Sequence, residues 1–367
     1  MKFLVIPTTD WIGHPVPNRL NFIFDRLADA HEIDVCHFRI FSKKLMDTKC
    51  NLLPMDPTSM HSVDRYYLSS MYRHLSKIRD IAPEYDTVIA SNLIPTFGAS
   101  LQETPFIIDY LDLFPESAAA YFSPPVDSLI KGVTSIIDNV NLQRSLGIIT
   151  TSERFKVHLT ERYRKPIYVV PNGVDTSLIR PTDGIKEDLG YPVIGYVGSL
   201  EKWIDLEWII DNLPKILKRY PDASLLVVGP GLHTSYGEKI KKMAARYPDR
   251  IHFTGRVDYH KISSYISSMD VGLNPRKPML MNKLTMGSKV LNYLACGVPV
   301  LSTNMPEMDR RFGPEKGVFS YGSIDEFLGN MTRALKFKVD PSWVKDYDWD
   351  SIAVRYEGAI KSILDSG

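Results

Sequence analysis

Several features that mark specialised classes of protein are scarce or missing in this sequence. Its 367 residues include three cysteines, Cys36, Cys50 and Cys296, too few and too scattered for a disulfide framework or a metal site. Lysine and arginine number 44 against 43 acidic residues, and a net charge of +1 provides no broad field for nucleic acid or an anionic membrane. The opening apolar run breaks at Pro7, too early for a signal peptide or a spanning helix. We therefore expect a cytoplasmic protein that binds no nucleic acid.

A dinucleotide fingerprint is also missing. The chain opens as strand, loop, helix and strand, but the loop after KFLVI contains no G-x-G-x-x-G pattern. A dehydrogenase is disfavoured for that reason. The sequence also shows no repeat of 20–50 residues and no low-complexity segment.

The length of the chain and its alternation of elements indicate the architecture. A chain of 367 residues exceeds the ~250–300 at which a single core usually splits, so we expect two domains. Short apolar runs that read as buried strands alternate with helix-like segments, as in parallel α/β sheets. Residues 42–64 are rich in Met, Pro and Lys and predict irregular loops, and a helix is expected from about Tyr66 to Ile81.

One stretch, residues 274–303, is especially informative. It follows the strand-like run 271–273 with a loop rich in Pro, Lys and Arg. A helix is predicted from about Ser288 to Ala295, with Ser288 as a plausible N-cap, and Gly297 ends it before another buried strand. The loop and the helix N-terminus then lie at the carboxyl edge of the sheet, where doubly wound sheets bind ligands.

Lys289 falls in the first turn of that helix. A cation there opposes the helix macrodipole, so its position favours a bound anion, and phosphate is the obvious candidate. The alternative is an ordinary solvated surface lysine.

The same stretch resembles the donor-sugar motif of the GT-B glycosyltransferases of group one, a retaining-type family. The matching positions are Asn282, Leu284, Thr285, Ser288, Lys289, Tyr293, Ala295, Gly297, Pro299 and Val300. Two positions depart from the family pattern. Asn292 stands where a Glu usually bonds the nucleotide ribose, and Leu284 stands where retaining members carry a second Glu.

A second motif carries two carboxylates. PFIIDYLDLFPES, residues 105–117, resembles the family's D-L-H-D-L-x-P-E-S, with Leu111 in place of the His. Asp109 and Asp112 are three apart, so they cannot face the same way on a regular strand. Asp112 lies closer to the edge and is the candidate general base, whereas a charge at Asp109 would need a buried partner. The alternative for Asp112 is a helix cap or a loop salt bridge.

Other positions complete the expected sites. The resemblance implies that the Gly198-Ser199 turn and Lys202 contact the donor diphosphate, and that Arg256, Val257 and Tyr259 receive the base, although these three could be ordinary loop residues. Trp11, Gly13 and His14 would lie in the loop at the cleft, where His14 is a less favoured acid or base. The expected donor nucleotide-binding residues are Gly198, Ser199, Lys202, Arg256, Val257, Thr285, Ser288, Lys289 and Asn292.

The match to V-x-V-I-P-N-G-V-D at residues 168–175 predicts the boundary between the domains. The resemblance implies an acceptor domain of residues 1–172 plus 349–367 and a donor domain of residues 173–348. Two Rossmann-like domains would face each other across a cleft, and a C-terminal helix would cross back to the first. Its buried stripe is expected to be Trp349, Ile352, Ala353, Tyr356, Ile360 and Ile363.

The resemblance implies a metal-independent hexosyltransferase of glycan biosynthesis. It needs no cofactor and uses a UDP- or GDP-linked sugar to modify a glycan or a lipid-linked acceptor. The missing Glu pair favours inversion at the sugar carbon. The alternative is a degenerate transferase that binds a nucleotide-sugar or acts as a scaffold. Basic residues within 42–79 also suggest peripheral membrane contact through the first domain, against the alternative of a solvated mixed-charge face.

Overall fold

The computed structural model describes residues 1–14, 17–41, 43–56, 70–120, 122–185 and 189–366. The chain divides into two compact units. The first contains Met1–Pro171 and Trp349–Gly367, and the second contains Asn172–Asp348. Each unit has one all-parallel sheet with helices between its strands, so the predicted α/β class is confirmed.

The first unit contains seven strands and seven α-helices among its described residues. In chain order they are β1 (Lys2–Ile6), α1 (Arg19–Leu27), β2 (Glu32–His37), β3 (Asn51–Pro54), α2 (Met71–Ile81), β4 (Thr87–Ala90), α3 (Leu93–Ser100), β5 (Phe106–Tyr110), α4 (Phe114–Ala119), α5 (Val126–Arg144), β6 (Gly147–Thr150), α6 (Glu153–Thr160), β7 (Ile167–Val169) and α15 (Trp349–Ser366). The sheet order is β3-β2-β1-β4-β5-β6-β7.

The second unit contains six strands and eight α-helices among its described residues. They are β8 (Val193–Val197), α7 (Leu206–Asp211), α8 (Leu213–Arg219), β9 (Ser224–Val228), α9 (Ser235–Ala244), β10 (Ile251–Gly255), α10 (Ile262–Ile266), β11 (Val271–Asn274), α11 (Leu280–Leu284), α12 (Ser288–Ala295), β12 (Val300–Thr303), α13 (Pro306–Arg311), β13 (Val318–Tyr321) and α14 (Ile324–Ala334). The sheet order is β10-β9-β8-β11-β12-β13.

Both sheets are doubly wound, and each reverses its direction of winding at one point. In the first unit the strand order reverses between β1 and β4, and in the second between β8 and β11. Ligands of such sheets bind beyond the carboxyl ends of the strands at this switch point. The loops after β8 and β11 are therefore placed where a donor would bind.

Helix α15 covers one face of the first sheet. The six residues of its predicted stripe are all buried, and they pack with α1 in one apolar cluster. Trp349 stacks on Phe22 with the two ring centroids 4.9 Å apart. Helix α1 begins at a capping box, since Asn18 Oδ1 accepts from Leu20 N–H at 2.8 Å and Asn21 Oδ1 accepts from Asn18 N–H at 3.0 Å.

The structure corrects two local expectations. Residues 42–64 are not wholly irregular, because Asn51–Pro54 forms β3, paired in parallel with β2 at the edge of the sheet. Ser288 is the first helical residue of α12 rather than its cap, and the N-cap is Gly287, which has no side chain to bond the helix. The helix expected from Tyr66 is described only from Met71, since residues 57–69 lie outside the described ranges.

Candidate functional site

The turn after β8 brings small residues to the switch point of the second unit. Gly198 has a φ of +143°, a conformation that favours glycine, and its N–H donates to Val228 O at 2.9 Å. A Cβ on Gly229 would lie 2.1 Å from Gly198 O, so the turns after β8 and β9 nearly touch. Among the described residues none accepts a hydrogen bond from Ser199 N–H. The backbone N–H that this turn can offer to a ligand is therefore that of Ser199 and not that of Gly198.

Tyr293 fixes α12 against the switch point. Its hydroxyl accepts from Val197 N–H at 2.7 Å, at the end of β8, and donates to Leu273 O at 3.2 Å, in β11. The side chain is fully buried. One phenol hydroxyl thus bonds the helix to both strands that flank the switch point. These bonds fix the position of the first turn of α12 relative to the sheet.

Lys289 occupies that first turn and reaches the Gly198 turn. Its Nζ donates to Tyr196 Oη at 3.0 Å and lies 4.2 Å from the centroid of the same ring. The Nζ would stand 3.2 Å from a Cβ on Gly198. Burial lowers the pKa of Lys289 well below its ordinary value, and the charge of Arg276 lowers the pKa further. No carboxylate of the described residues forms an ion pair with this lysine.

Arg276 is a site residue that the sequence reasoning did not select. It lies two positions after Asn274, the last residue of β11, in the basic loop. Its guanidinium donates from Nη1 to Asn282 Oδ1 at 3.2 Å and from Nε toward Asn274 Oδ1 at 3.5 Å. The next cation, Lys277, is instead paired with Glu207 at 2.6 Å. The position of Arg276 just beyond a strand at the switch point was the sequence signal that could have indicated this residue.

The remaining motif positions of α11 and α12 have mixed roles. Asn292 is half-buried on the face of α12 that also carries Lys289, and none of the described residues bonds its side-chain amide. Thr285 Oγ1 donates to Met281 O at 3.1 Å within its own segment. Ser288 is exposed. Asn282 is buried, and its amide nitrogen bonds Trp203 O and Lys277 O at 3.0 and 2.8 Å.

Three predicted donor residues lie further from this cluster along the chain. Lys202 is exposed between β8 and α7. Arg256 and Val257 follow β10, which is separated from β8 by β9. Arg256 is exposed, whereas Val257 and Tyr259 pack against an apolar cluster of the second unit. Within the described part of the chain, no hydrogen bond or ion pair joins any of these residues to Lys289.

In the first unit, the loop after β1 is organised by a carboxylate that the sequence did not reveal. Asp10 is buried and accepts from the N–H groups of Gly13 at 2.8 Å and of Phe41 at 3.0 Å. A Cβ on Gly13 would lie 2.6 Å from Asp10 Oδ2, so glycine is required there. Trp11 is fully buried and donates to Thr48 Oγ1 at 3.0 Å, which makes it a core residue. His14 is half-buried, and its ring packs on Phe41 at 5.7 Å.

The two aspartates of the second motif have separate environments. Asp109 is fully buried in β5, with Arg19 Nε 3.6 Å from its Oδ2, which supplies the buried partner that its position demanded. Burial raises the pKa of Asp109 to about 6, against the lowering effects of Arg19 and Tyr356. Asp112 lies beyond the end of β5 and is half-buried.

The carboxylate of Asp112 is held by its own segment. Its Oδ1 accepts from Leu113 N–H at 3.0 Å, and its Oδ2 accepts from Ser117 Oγ at 2.9 Å. These bonds do not cap α4, whose N-cap is Leu113 without a side-chain capping bond. They fix the orientation of both oxygens. The general-base role of Asp112 stays a prediction.

Two features are absent from the described residues. No helix in these ranges combines the length and the apolar composition required to span a bilayer. No cluster of three or more histidine, cysteine, aspartate or glutamate side chains within them is arranged to hold a metal ion.

The sequence and the fold were compared with known proteins. Residues 191–336 match the family "Glycosyl transferases group 1". The TuaH protein of Bacillus subtilis, a glycosyltransferase assigned to teichuronic acid biosynthesis, is 25% identical over 241 residues, covering 60% of this chain and 58% of TuaH. A GDP-mannose-dependent monoacylated phosphatidylinositol monomannoside mannosyltransferase of Corynebacterium glutamicum is 25% identical over 173 residues, covering 44% and 45% of the two chains. These matches thus span about half of the relatives' own length.

The solved structures extend the likeness to the whole fold. Anabaena HepE, solved in complex with UDP and glucose, superimposes with a TM-score of 0.70 at 14% identity. The superposition covers 99% of this chain and all of HepE. At that identity the likeness shows the fold alone.

Proposed function

We propose that this chain is a GT-B glycosyltransferase of group 1 and that it transfers a hexosyl group from a nucleoside-diphosphate sugar to a hydroxyl of a glycan or a lipid-linked acceptor. One observation carries the proposal. Lys289 lies at the switch point with no carboxylate partner among the described residues, in the first turn of a helix and against the Gly198 turn. A half-buried cation in that position suits a diphosphate.

The donor would bind through the second unit. Lys289, with Ser199 N–H and Lys202, would neutralise the diphosphate as it leaves, and Asn292 would bond a ribose hydroxyl as a neutral partner. Arg256 and Val257 would lie beside the base. Fixed cations and amides supply the stabilisation that a metal gives elsewhere, so the proposal needs no metal and no cofactor. The relatives' names mention both GDP-mannose and UDP, and either nucleotide fits this proposal.

The acceptor would bind through the first unit. Asp112 would take the proton of the acceptor hydroxyl while that oxygen attacks the anomeric carbon and the bond to the diphosphate breaks. A positioned base of this kind contributes typically ~10²–10⁴ in rate. The hydrogen bonds from Leu113 and Ser117 would orient the carboxylate. A single direct displacement of this kind inverts the configuration at the anomeric carbon. This outcome is in keeping with Leu284 and Asn292 at the positions of the family's Glu pair.

A glycosyl-transfer assay tests the proposal directly. Purified protein is incubated with UDP- and GDP-linked hexoses, with water as the acceptor of the hexosyl group, and release of the nucleoside diphosphate is measured with and without an excess of EDTA. Release that is insensitive to EDTA and absent in Asp112→Asn would support the enzyme. Failure to release either nucleotide from any donor would contradict it.

A second candidate function is a binding protein that has lost turnover. Two observations favour it. Asn292 and Leu284 stand in place of the family's two Glu residues, and local hydrogen bonds already occupy the carboxylate of Asp112. This protein would be stabilised by a nucleotide-sugar but would not consume it. A ligand at 100 times its dissociation constant raises the free energy of unfolding by ~2.7 kcal/mol, so a thermal-shift screen detects binding in either case.

Peripheral membrane contact through the first unit and a cytoplasmic location complete the proposal. The described basic residues of 43–79 give the contact little electrostatic support, since Lys44, Lys49, Arg73 and Arg79 are each paired with an aspartate. An exposed apolar stripe on α5, which includes Leu129 and Ile136, supports it more. Sedimentation with liposomes, with and without anionic lipid, is the test, and equal recovery from both would contradict an electrostatic contact.

A further inference from the structure

Tyr196, on β8, places one hydroxyl between the Gly198 turn and Lys289. Its Oη donates to Ser199 O at 2.7 Å and accepts from Lys289 Nζ at 3.0 Å. The side chain is fully buried, and burial raises the pKa of Tyr196 above its ordinary value, so the phenol stays neutral. A phenol has one proton, which Ser199 O accepts here. The oxygen therefore presents a lone pair to the lysine.

The turn that accepts this proton is held by other bonds. Gly198 N–H donates to Val228 O at 2.9 Å, and Leu200 N–H donates to Pro230 O at 3.0 Å. The first acceptor ends β9 and the second follows it, so the backbone around Ser199 is anchored without the phenol. The bond to Ser199 O therefore orients the hydroxyl rather than the turn.

The oriented hydroxyl restricts the end of the Lys289 side chain. The Nζ is 3.0 Å from Tyr196 Oη and 4.2 Å from the centroid of the same ring. A Cβ on Gly198 would lie 3.1 Å from the hydroxyl oxygen and 3.2 Å from the Nζ, so both groups lie against the same glycine. Ordering a lysine costs conformational entropy, because the side chain has several rotatable bonds. Here the lysine is already ordered in the free protein, which favours binding.

We propose that Tyr196 is a positioning residue of the donor site, whose hydroxyl holds the Nζ of Lys289 where the diphosphate of a nucleotide-sugar binds. This inference rests on the proposed function, because the ligand is the donor of that reaction. Tyr196 acts through Lys289 and does not itself need to touch the ligand. Removing its hydroxyl should therefore affect the binding of the diphosphate and not that of the nucleoside.

Calorimetric titration with UDP, GDP and the phosphate-free nucleosides uridine and guanosine tests this role. Tyr196→Phe keeps the ring and removes only the hydroxyl. It should weaken nucleoside diphosphate binding at least about fivefold, because the lysine loses a hydrogen bond of the charge-assisted kind, and should leave nucleoside binding unchanged. In a Lys289→Met background, the same substitution should alter diphosphate affinity by less than about twofold, since the group through which it acts is gone.

Tyr321→Phe is the matched control. It removes another buried phenol hydroxyl of the second unit, one that bonds none of the described residues. This variant should bind both classes of ligand as the parent does.

NMR relaxation of the lysine Cε methylene groups reports the restriction directly. In the nucleotide-free parent, the methylene of Lys289 should be restricted and that of the exposed Lys283 mobile. In Tyr196→Phe the Lys289 methylene should become more mobile while the relaxation of the other lysines stays as in the parent. A merely structural role of Tyr196 would not produce a change confined to this one side chain.

The outcomes separate this inference from the function on which it rests. If the parent protein binds neither UDP nor GDP, the proposed function fails. If it binds one of them and Tyr196→Phe binds it with unchanged affinity, the role of Tyr196 is overturned and the function stands. A loss that is equally large in the Lys289→Met background, or that extends to the nucleosides, would also overturn it. Should Tyr196→Phe fail to fold, relaxation in the parent decides, and a Lys289 as mobile as Lys283 would overturn the proposal.

Discussion

Buried charges in this protein are handled in two opposite ways. In the first unit, Asp109 and Arg19 are both buried and lie 3.6 Å apart, so each charge is compensated within the fold. In the second unit, Arg276 and Lys289 are half-buried cations close enough for one to oppose the charge of the other. A protein core requires its buried charges to be paired with opposite charges. Like charges that are held close together repel each other, and a bound anion would relieve that repulsion.

The first prediction concerns Lys289. Lys289→Ala should weaken nucleoside diphosphate binding by at least ~2 kcal/mol, because a largely buried phosphate charge loses its partner. Calorimetry measures the change. Lys283→Ala, which removes an exposed lysine from the neighbouring helix α11, is the control and should bind normally. Unchanged binding in Lys289→Ala would mean that this lysine is only a surface residue.

The second prediction follows from the lowered pKa of Lys289 in the free protein. A diphosphate favours the charged lysine, so binding should take up a proton at any pH between the free and bound pKa values. Below the free pKa the lysine is already charged, and affinity should be highest there and fall as the pH rises through it. Titrations in buffers of different ionisation enthalpy count the protons. Lys289→Met should abolish the uptake, and uptake that persists in this variant would assign it to another group.

The third prediction assigns the base. Asp112→Asn should leave the melting temperature and the donor affinity nearly unchanged while turnover falls ~10²-fold or more. The amide keeps an oxygen for Leu113 N–H, so the segment should hold its shape. His14→Ala is compared in the same assay and should stay active. Near-normal turnover in Asp112→Asn with loss in His14→Ala would show that the base has been misassigned, and the argument for inversion would fall with it.

At the scale of secondary-structure elements, one buried network of side chains joins three elements of the first unit. Arg19 opens α1, Asp109 lies in β5, and Tyr356 lies on α15 with its ring 5.5 Å from the arginine Cζ. Arg19 Nη1 also donates to Val170 O at 2.9 Å. The sheet and the two helices that cover it are thus connected through a single charged cluster.

The fourth prediction concerns this cluster. Asp109→Leu should lower the free energy of unfolding by about 3–5 kcal/mol at neutral pH, because the buried Arg19 charge loses both the carboxylate and any polar group at this position. Chemical denaturation measures the loss, and Arg19→Met combined with Asp109→Leu should recover much of it. The pKa of about 6 also sets a sign for Asp109. The folded state holds this proton more tightly than the unfolded chain, so the parent should lose stability as the pH rises from about 4 to 6. The double variant should lack that contribution.

Elements with a strong apolar periodicity or a clear terminating residue were predictable from the sequence. Helix α12 and the six-residue stripe of α15 follow from apolar spacing and from the Gly297 stop. Strand β3 was missed because NLLP is four residues long, ends in Pro54 and lies at the edge of its sheet. So short a run carries no usable period.

The candidate site was less accessible to sequence reasoning. Lys289 could be selected because a cation in the first turn of a helix is unusual on its own. For Arg276 the available signal was its position as a cation just beyond β11. Asp10 gained its place by accepting hydrogen bonds from Ile40 and Phe41, which follow β2. Contacts between distant parts of a chain leave no local pattern. The hydrogen bond from Gly198 N–H to Val228 O is a contact of the same kind, since its acceptor lies on β9.

At the scale of the whole molecule, the two units differ in how the chain builds them. The second is continuous, from Asn172 to Asp348, whereas the first needs α15 from beyond that segment. The fifth prediction is that a fragment of residues 172–348 folds alone and binds a nucleoside diphosphate. A fragment of residues 1–348 should lose the cooperative unfolding of its first unit, because the cluster around α1 loses Trp349, Tyr356 and their neighbours. Calorimetric scans of both fragments test this, and a 1–348 fragment that melts like the parent would contradict it.

This arrangement also fixes an order of events at the ribosome. Domains generally fold as units during synthesis, the N-terminal one first. Here the N-terminal unit cannot close when its first 171 residues have been made, since α15, the 18-residue helix that covers one face of its sheet, is translated after the entire second unit. The nascent chain must carry an open, apolar sheet face through the translation of residues 172–348. The unit begun first is therefore completed last, and its exposed face during that interval is where a chaperone would act.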